Sequence, residues 1–354
     1  MYASPTNPIS SKMPSPFRLL HLPLLALENV IQLLDVSEMF FFSLSSQKAF
    51  FLIQQFRDKS LDLKLVLDGD AKSINLMVGQ KLRTEVRVRD SFIAVDPVEL
   101  VRIGRTIVKM EQYYARDGCF LYWDDKILGI KNVTEYFSKL FKTDVSEVKI
   151  TKSQFWMLDY TQNRQSSKFT VSVVPFFHEL TDEQFRLVLS SNRVNRLNLL
   201  ESPESSTFLV EDYKTSIDYF FMKKGSWITI DNIITMDCVE YSIENEKKFT
   251  NQELNRFLKH WIAGGAQRLK FISVPVLGLA TMEMFADIMG NVKRTPRDFH
   301  YKRRFDDSWK FDMQQSIIVK CEDGRVASLQ HMMPGNLFVI GVWPDIEGND
   351  MKIY

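Results

Sequence analysis

The sequence predicts an α+β chain in which a small all-α segment precedes a longer stacked α/β array. Three observations carry this. Residues 16 to 57 hold Leu, Ile and Phe at helical spacing, broken once around Asp35 and Glu38. From Leu61 the apolar period changes to two. Beyond residue 130, helical stripes and short apolar strands alternate at intervals of roughly 25 to 45 residues.

The elements follow in order. Residues 1–15, rich in Ser and Pro, read as a disordered leader. Leu24, Leu27, Val30, Ile31 and Leu34 mark a first helix, and Asp35 stands three residues before Glu38, a capping pair that starts a second. Met39, Phe40, Leu44, Phe51 and Ile53 continue the apolar pattern. So short a segment cannot cover its own apolar surface, so it must dock on the rest of the chain or on a partner. Leu61, Leu63, Leu65 and Leu67 alternate as a strand ending at Asp68-Gly69-Asp70, with further strands at Ile74–Val78 and Val86–Val88. Pro97 opens a predicted helix carrying Leu100, Val101, Ile107, Val108 and Met110.

Asn132 and Glu135 form a second capping pair, before Tyr136, Phe137, Leu140 and Phe141. Strands are predicted at 145–150, 169–174, 196–200, 239–243, 269–274 and 337–342. Between them come a helix capped by Thr181 and Gln184, a unit opening at Trp227, and a helix over 280–289. The clearest helix runs from Thr250 and Glu253 through Leu254, Phe257, Leu258, Trp261 and Ile262 to Gly264. Residues 317–320 and 326–329 flank Glu322-Asp323-Gly324 as a hairpin. The rhythm suggests an irregular leucine-rich-repeat-like array, and parallel strands joined by crossover helices explain it equally well.

Composition bounds the function. Among 354 residues, 45% hydrophobic and 12% aromatic content supplies a sizeable core. Lys plus Arg number 45 against 44 Asp plus Glu, so no global field draws the chain to nucleic acid or an anionic membrane. Cys119, Cys238 and Cys321 are too few and too scattered for a disulfide framework or a zinc knuckle, and read as buried thiols of a reducing compartment. The apolar stretch after the leader is interrupted by Arg18, His21, Pro23 and Glu28, so it is neither a signal sequence nor a membrane span. The expected location is cytoplasmic and/or nuclear. The Asn132-Val133-Thr134 sequon is read as chance.

No phosphate-loop, dinucleotide, zinc-protease or nucleophile-elbow string occurs. His21, His178, His260, His300 and His331 are isolated, so no metal or cofactor is expected and His260 reads as structural. Asp124-Asp125 and Asp306-Asp307 read as solvated turns, and the six tryptophans as core. Lys293 to Arg304, with six basic residues in twelve positions, reads as a solvated loop.

The Leu22-Pro23 pair, the helix positions Leu27, Val30, Ile31, Leu33 and Leu34, the Asp35–Glu38 break and the turn at Leu44, Ser45 and Lys48 together resemble an F-box over residues 16–58. Phe40-Phe41-Phe42 and Ala49-Phe50-Phe51 are more aromatic than that family's usual pattern. Gly225 to Asn232 and Asn255 to Ile262, followed by Leu269-Lys270, resemble the type 2 F-box-associated domain, of a family expanded in nematodes, over about 200–275.

The resemblance implies a three-helix motif that binds the Skp-type adaptor of a cullin ubiquitin ligase through Leu22, Pro23, Leu27, Val30, Ile31 and Leu34. Residues 59–354 would hold a protein target through positions the sequence does not reveal. The chain would be a non-catalytic substrate receptor without cofactor, metal, nucleic-acid or membrane partner. Two alternatives stand beside it. A stand-alone binding module would bury those apolar residues against its own body. A hydrolase would gather His260 or His178 with an Asp and a Ser or Cys.

Overall fold

The computed structural model describes residues 19–343, apart from 95–97, 114–116, 176–177, 212, 245–247, 279–280, 295–298, 304, 306–309, 314–316 and 333–335. The expected leader, Pro97 and the pair Asp306-Asp307 lie outside the described residues.

Helices come first: α1 (Leu24–Leu33), α2 (Val36–Ser45) and α3 (Gln47–Phe56). Asp35 caps α2 as expected, its side chain accepting from Glu38 N while Glu38 accepts from Asp35 N, both at 2.8 Å. Ser46 caps α3. Leu27 and Ile31 turn inward from α1, which packs on α3. α2 and α3 then dock on the next part of the chain.

That part is β1 (Leu63–Asp68), β2 (Ser73–Val78), β3 (Lys81–Asp90), β4 (Glu99–Ile103), β5 (Thr106–Tyr113), β6 (Gly118–Trp123) and α4 (Lys126–Phe141). The predicted helix beyond Pro97 is instead the β4–β5 hairpin, paired from Glu99↔Met110 to Ile103↔Thr106. Ile103, Val108 and Met110 point inward at period two, and Gly104 takes the left-handed conformation (φ 60°) that the turn needs. Val101, Ile103, Thr106, Ile107 and Val108 are β-branched, and their preference for pleated surface wins over the chance helical spacing.

The expected cap at Asn132 is likewise displaced. The cap lies seven residues earlier, at Asp125, which accepts from the backbone N–H groups of Ile127 and Leu128, and Asn132 lies mid-helix. Thr134 is buried and bonded to Ile130 O, so the sequon sits on a helix with an inaccessible threonine.

A run of parallel strands follows in chain order: β7 (Val145–Ile150), β8 (Phe169–Val173), β9 (Val194–Leu199), β10 (Ser216–Met222), β11 (Asp237–Ile243) and β12 (Phe271–Pro275). Their first residues step by 24, 25, 22, 21 and 34. The pattern reading does not single out β10, which is why it overestimates the interval. Crossovers carry α5 (Trp156–Arg164), α6 (Asp182–Ser190), α7 (Ile230–Thr235) and α8 (Asn251–Ile262), whereas β9 joins β10 through irregular chain that buries Phe208. The predicted 280–289 helix is described only as the single turn α9 (Thr281–Met284).

The chain ends in β13 (Val292–Arg294), β14 (Phe299–Lys302), β15 (Lys310–Met313), β16 (Ile317–Lys320), β17 (Val326–Met332) and β18 (Leu337–Trp343). β14 pairs only with β15. The other sixteen strands form one mixed sheet in the order β13-β16-β17-β18-β12-β11-β10-β9-β8-β7-β1-β2-β3-β6-β5-β4. The architecture is therefore α+β.

Register divides this sheet into two faces. One row, Leu67, Val148, Val171, Leu197, Phe220, Tyr241 and Ile272, is buried throughout and joins Phe185, Ile233 and Leu254 of the helices in one core. The neighbouring row, Val66, Glu147, Thr170, Arg196, Tyr219, Glu240 and Phe271, points the opposite way. Its polar members define a second face, free of helices among the described residues.

Candidate functional site

Two regions can receive a partner: the outer face of α1 and the edge where the parallel strands end. The residues expected to face an adaptor divide unevenly. Leu27 and Ile31 are 2% and 0% exposed, inside the protein's own core, so they are not the accessible surface the sequence implied. Leu22, Val30 and Leu34 are half-buried, and Pro23 is exposed. The apolar surface left open consists of Leu24, Leu25 and Leu33, at 62%, 71% and 85% exposure. Helical periodicity marks a stripe but cannot tell its inner flank from its outer one in a helix that is apolar on most sides.

Docking explains the difference. Phe40 of α2 packs on Phe137 of α4 with ring centroids 4.8 Å apart, and Phe50 lies 5.1 Å from Tyr136. Gln54 Nε2 donates to Lys139 O at 2.7 Å, and Arg57 donates to Phe141 O. Two of the segment's extra aromatics, Phe40 and Phe50, thus fasten it to α4, whereas Phe51 is 55% exposed. Burial pushes the Tyr136 phenol up to about 12, with its hydrogen bond to Ser43 pulling the other way.

At the far region, the C-terminal ends of β8, β9, β10 and β11 and their loops enclose a groove of about 510 Å³. Phe208, Pro203 and Trp227 line its apolar part, with Ser202 and Ser226 beside them. Trp227 is held edge-to-face by Phe185 and Phe208, each 6.0 Å away, and by Tyr213 at 6.2 Å. Lys224 pairs with Glu201 at 2.8 Å and Lys152 with Glu204 at 3.1 Å.

The helix-free face carries a polar ladder: Asn198 Nδ2 donates to Ser172 Oγ at 3.0 Å, and Ser172 Oγ to Glu147 Oε1 at 2.7 Å. Further along, Arg303 crosses the sheet. It is 3% exposed, donates to the Tyr219 hydroxyl at 3.0 Å, lies 3.8 Å from Glu240 and stacks over Phe271 at 5.2 Å. The solvated-loop reading of Lys293 to Arg304 fails at this residue, because the sheet supplies both an anion and aromatic faces for the guanidinium. No sequence signal distinguishes Arg303 from its basic neighbours.

His260 and His178 are not brought into a common site. His260 is half-buried near the end of α8, beside Gly265, and His178 is exposed. Asp125 is the α4 cap and Asp124 accepts from Ser91 Oγ. The three cysteines are buried, and burial pushes the thiols of Cys119 and Cys238 up, away from thiolate chemistry. Among the described residues no group of His, Cys, Asp and Glu could hold a metal ion, and no helix is long and apolar enough to cross a membrane.

A family profile described as F-box associated matches residues 207–274. That span runs from the groove loops through β12, close to the 200–275 suggested by the motifs. The chain is also similar to the Skn-1 dependent zygotic transcript 15 protein of Caenorhabditis elegans, 24% identical over 288 residues, 76% of this chain and 82% of that protein. No solved structure matches.

The matched motifs are folding residues. Thr229 and Asn232 cap α7 reciprocally, and Asn232 Nδ2 donates to Val210 O at 2.8 Å. Thr250 and Glu253 cap α8, Asn255 Nδ2 donates to Met284 O and Ala286 O, each at 2.8 Å, and Phe257, Leu258 and Trp261 enter the core. Of the motif residues, Gly225, Ser226 and Trp227 line the groove itself.

Proposed function

We propose that this chain is the substrate-recognition subunit of an SCF-type cullin ubiquitin ligase. The F-box-associated match over 207–274 supports a target-binding role for the second half. One observation carries the adaptor half: α1 keeps Leu24, Leu25 and Leu33 in solvent while the rest of the helical segment is anchored to α4. Exposed leucines at the two ends of a helix held on a rigid support are anchors that a partner groove can take up. In this reading the irregular βα stack is a leucine-rich-repeat-like scaffold, and the protein does no bond chemistry. It raises the target's effective concentration near the ubiquitin-charged enzyme.

Co-expression with a Skp-type adaptor tests this. The wild-type chain is expected to co-purify with adaptor and cullin, and a L24E/L25E/L33E variant to lose both while its thermal unfolding stays unchanged. A wild-type chain that recovers no adaptor, or a triple variant that still does, overturns the reading.

The burial of Leu27 and Ile31 in the protein's own core favours a second reading, a binding module of the same fold outside any ligase. It shares the target groove and lacks the adaptor, so the same purification separates the two.

A further inference from the structure

A third, smaller site lies between α4 and α5, where Trp156 and Tyr160 form an aromatic corner. The two residues are four apart on α5, so their rings share one side of the helix, with centroids 6.2 Å apart and planes at 52°. Both are half-buried, so Trp156 departs from the expectation that all six tryptophans are core. Each ring is fixed by its polar tip. Trp156 Nε1 donates to Gln154 Oε1 at 3.0 Å. The Tyr160 hydroxyl donates to Glu135 Oε1 at 3.0 Å, and Arg164 holds that carboxylate at 2.8 Å. Both rings line a shallow hollow of about 440 Å³, with Asp159 and Asn163 exposed at its rim.

An ammonium already stands in this corner. Lys131 reaches over from α4 and places Nζ 5.4 Å from the Trp156 centroid and 5.6 Å from the Tyr160 centroid. These distances approach the limit, about 6 Å, within which a ring face attracts a cation. They decide the ligand. A bare ammonium settles closer, because only its hydrogens separate it from the ring. A methyl carbon touching the ring at about 3.5–4.0 Å, on an N–C bond of about 1.5 Å, sets a quaternary nitrogen roughly 5 Å away. The corner is therefore spaced for a methylated nitrogen. Lys131 itself is weakly held. It is half-exposed, and no carboxylate lies within ion-pair reach of it among the described residues. An exposed contact of this kind shifts an equilibrium only about two- to fivefold, so Lys131 can turn out into water.

We infer that the Trp156–Tyr160 corner binds a trimethyllysine side chain of a partner protein, which displaces Lys131 and sets its own nitrogen where Lys131 Nζ stands. The occupant in the structure is itself a lysine, so the approach over the rings already accommodates that stem. Methyl groups replace the hydrogens that keep a lysine ammonium strongly hydrated, so the modified group loses less on leaving water. Asp159 adds a carboxylate at the rim. The site is separate from the α1 leucines and from the strand-end groove, and the inference stands independently of the ligase reading.

The probes are N-acetyl-trimethyllysine methylamide, its unmodified lysine counterpart, a neutral isostere with a tert-butyl group in place of the trimethylammonium, and choline. Each is titrated into the 15N-tryptophan-labelled full-length chain, with the Trp156 indole N–H assigned by its loss in W156L. The trimethyllysine probe is expected to shift that resonance and to bind about tenfold tighter than the neutral isostere, the worth of a cation–π contact removed from water. Unmodified lysine should bind more weakly than trimethyllysine. K131A vacates the corner without touching its walls, so it should bind the trimethyllysine probe about two- to fivefold tighter than wild type does. Y160L, which removes one wall, should lose the preference for the charged probe. If Y160L fails to fold, K131A and the isostere comparison in wild type still decide. No binding to wild type or K131A, equal binding of the isostere, or binding unchanged or weakened in K131A overturns the inference. Choline bound more tightly than trimethyllysine overturns the assignment to a protein side chain.

Discussion

Ser43 Oγ and the Tyr136 hydroxyl, 93 residues apart in sequence, share a buried 2.7 Å hydrogen bond. It ties α2 to α4 beside the Phe40–Phe137 contact, and it makes the helical segment the cap of the array's first edge. A repetitive α/β stack exposes apolar surface wherever it stops, so a terminal unit of different sequence is needed to close it. Here the same three helices close the stack inwardly and offer Leu24, Leu25 and Leu33 outwardly.

Phe40 is the residue on which this docking depends. It is fully buried between Tyr136 and Phe137. Phe40→Ala should cost about 3–5 kcal/mol, the lost transfer of a ring plus the cavity it leaves. Urea unfolding measures this, and limited proteolysis should show new cleavage between α3 and β1. A loss under about 1 kcal/mol would mean that the helices do not rest on α4 in solution.

Docking should also weaken in alkali. Burial raises the Tyr136 phenol from 10.0 to about 12. The folded state therefore holds this proton where the unfolded chain has released it, so its contribution is complete below pH 10 and disappears as pH rises to 12. At about 1.4 kcal/mol per unit, roughly 2–3 kcal/mol is at stake. Tyr136→Phe cannot ionise, so its stability should fall less between those pH values than the wild type's, and equal slopes would refute the assignment.

The two sides of α1 predict opposite stability effects. Ile31→Ala removes a fully buried side chain and should cost about 2–5 kcal/mol. Leu33→Ser, on a side chain 85% exposed, should stay within about 0.5 kcal/mol of wild type. Denaturant midpoints of the two variants compare them directly. Similar losses would mean that α1 is rotated from the orientation described.

Much of this fold was legible in local chemistry. The caps at Asp35, Thr181 and Thr250 each combine a side-chain acceptor with a reciprocal residue three positions on, and all three start helices. β7 matches its expected bounds because both ends are set by local turns. The failures share a cause: Asn132–Glu135 has capping spacing, but Asp125 upstream already starts that helix, and a chain pattern does not say which of two caps is used. The β4–β5 hairpin shows apolar residues that fit both periods over a short run. For the candidate site, the motif from Gly225 to Asn232 marked three residues that line the groove, while the α8 motif marked core and cap residues. The role of Arg303 comes from contacts across the sheet, which no local pattern encodes.

Arg303 gives the sharpest test of the helix-free face. Its guanidinium and the Glu240 carboxylate are almost fully removed from water, at 3% and 0% side-chain exposure. Removing one member of such a pair takes away the charge that offsets the other's desolvation, so Arg303→Ala should cost about 3–5 kcal/mol. Replacing both with apolar residues of similar volume, Arg303→Met with Glu240→Leu, should cost less than the sum of the single changes, because no charge is then stranded. Four urea titrations, of wild type, Arg303→Met, Glu240→Leu and the double, close the cycle. Strict additivity would show that the two side chains do not act as a pair, and that the strand face is held by Phe271 and Tyr219 packing alone.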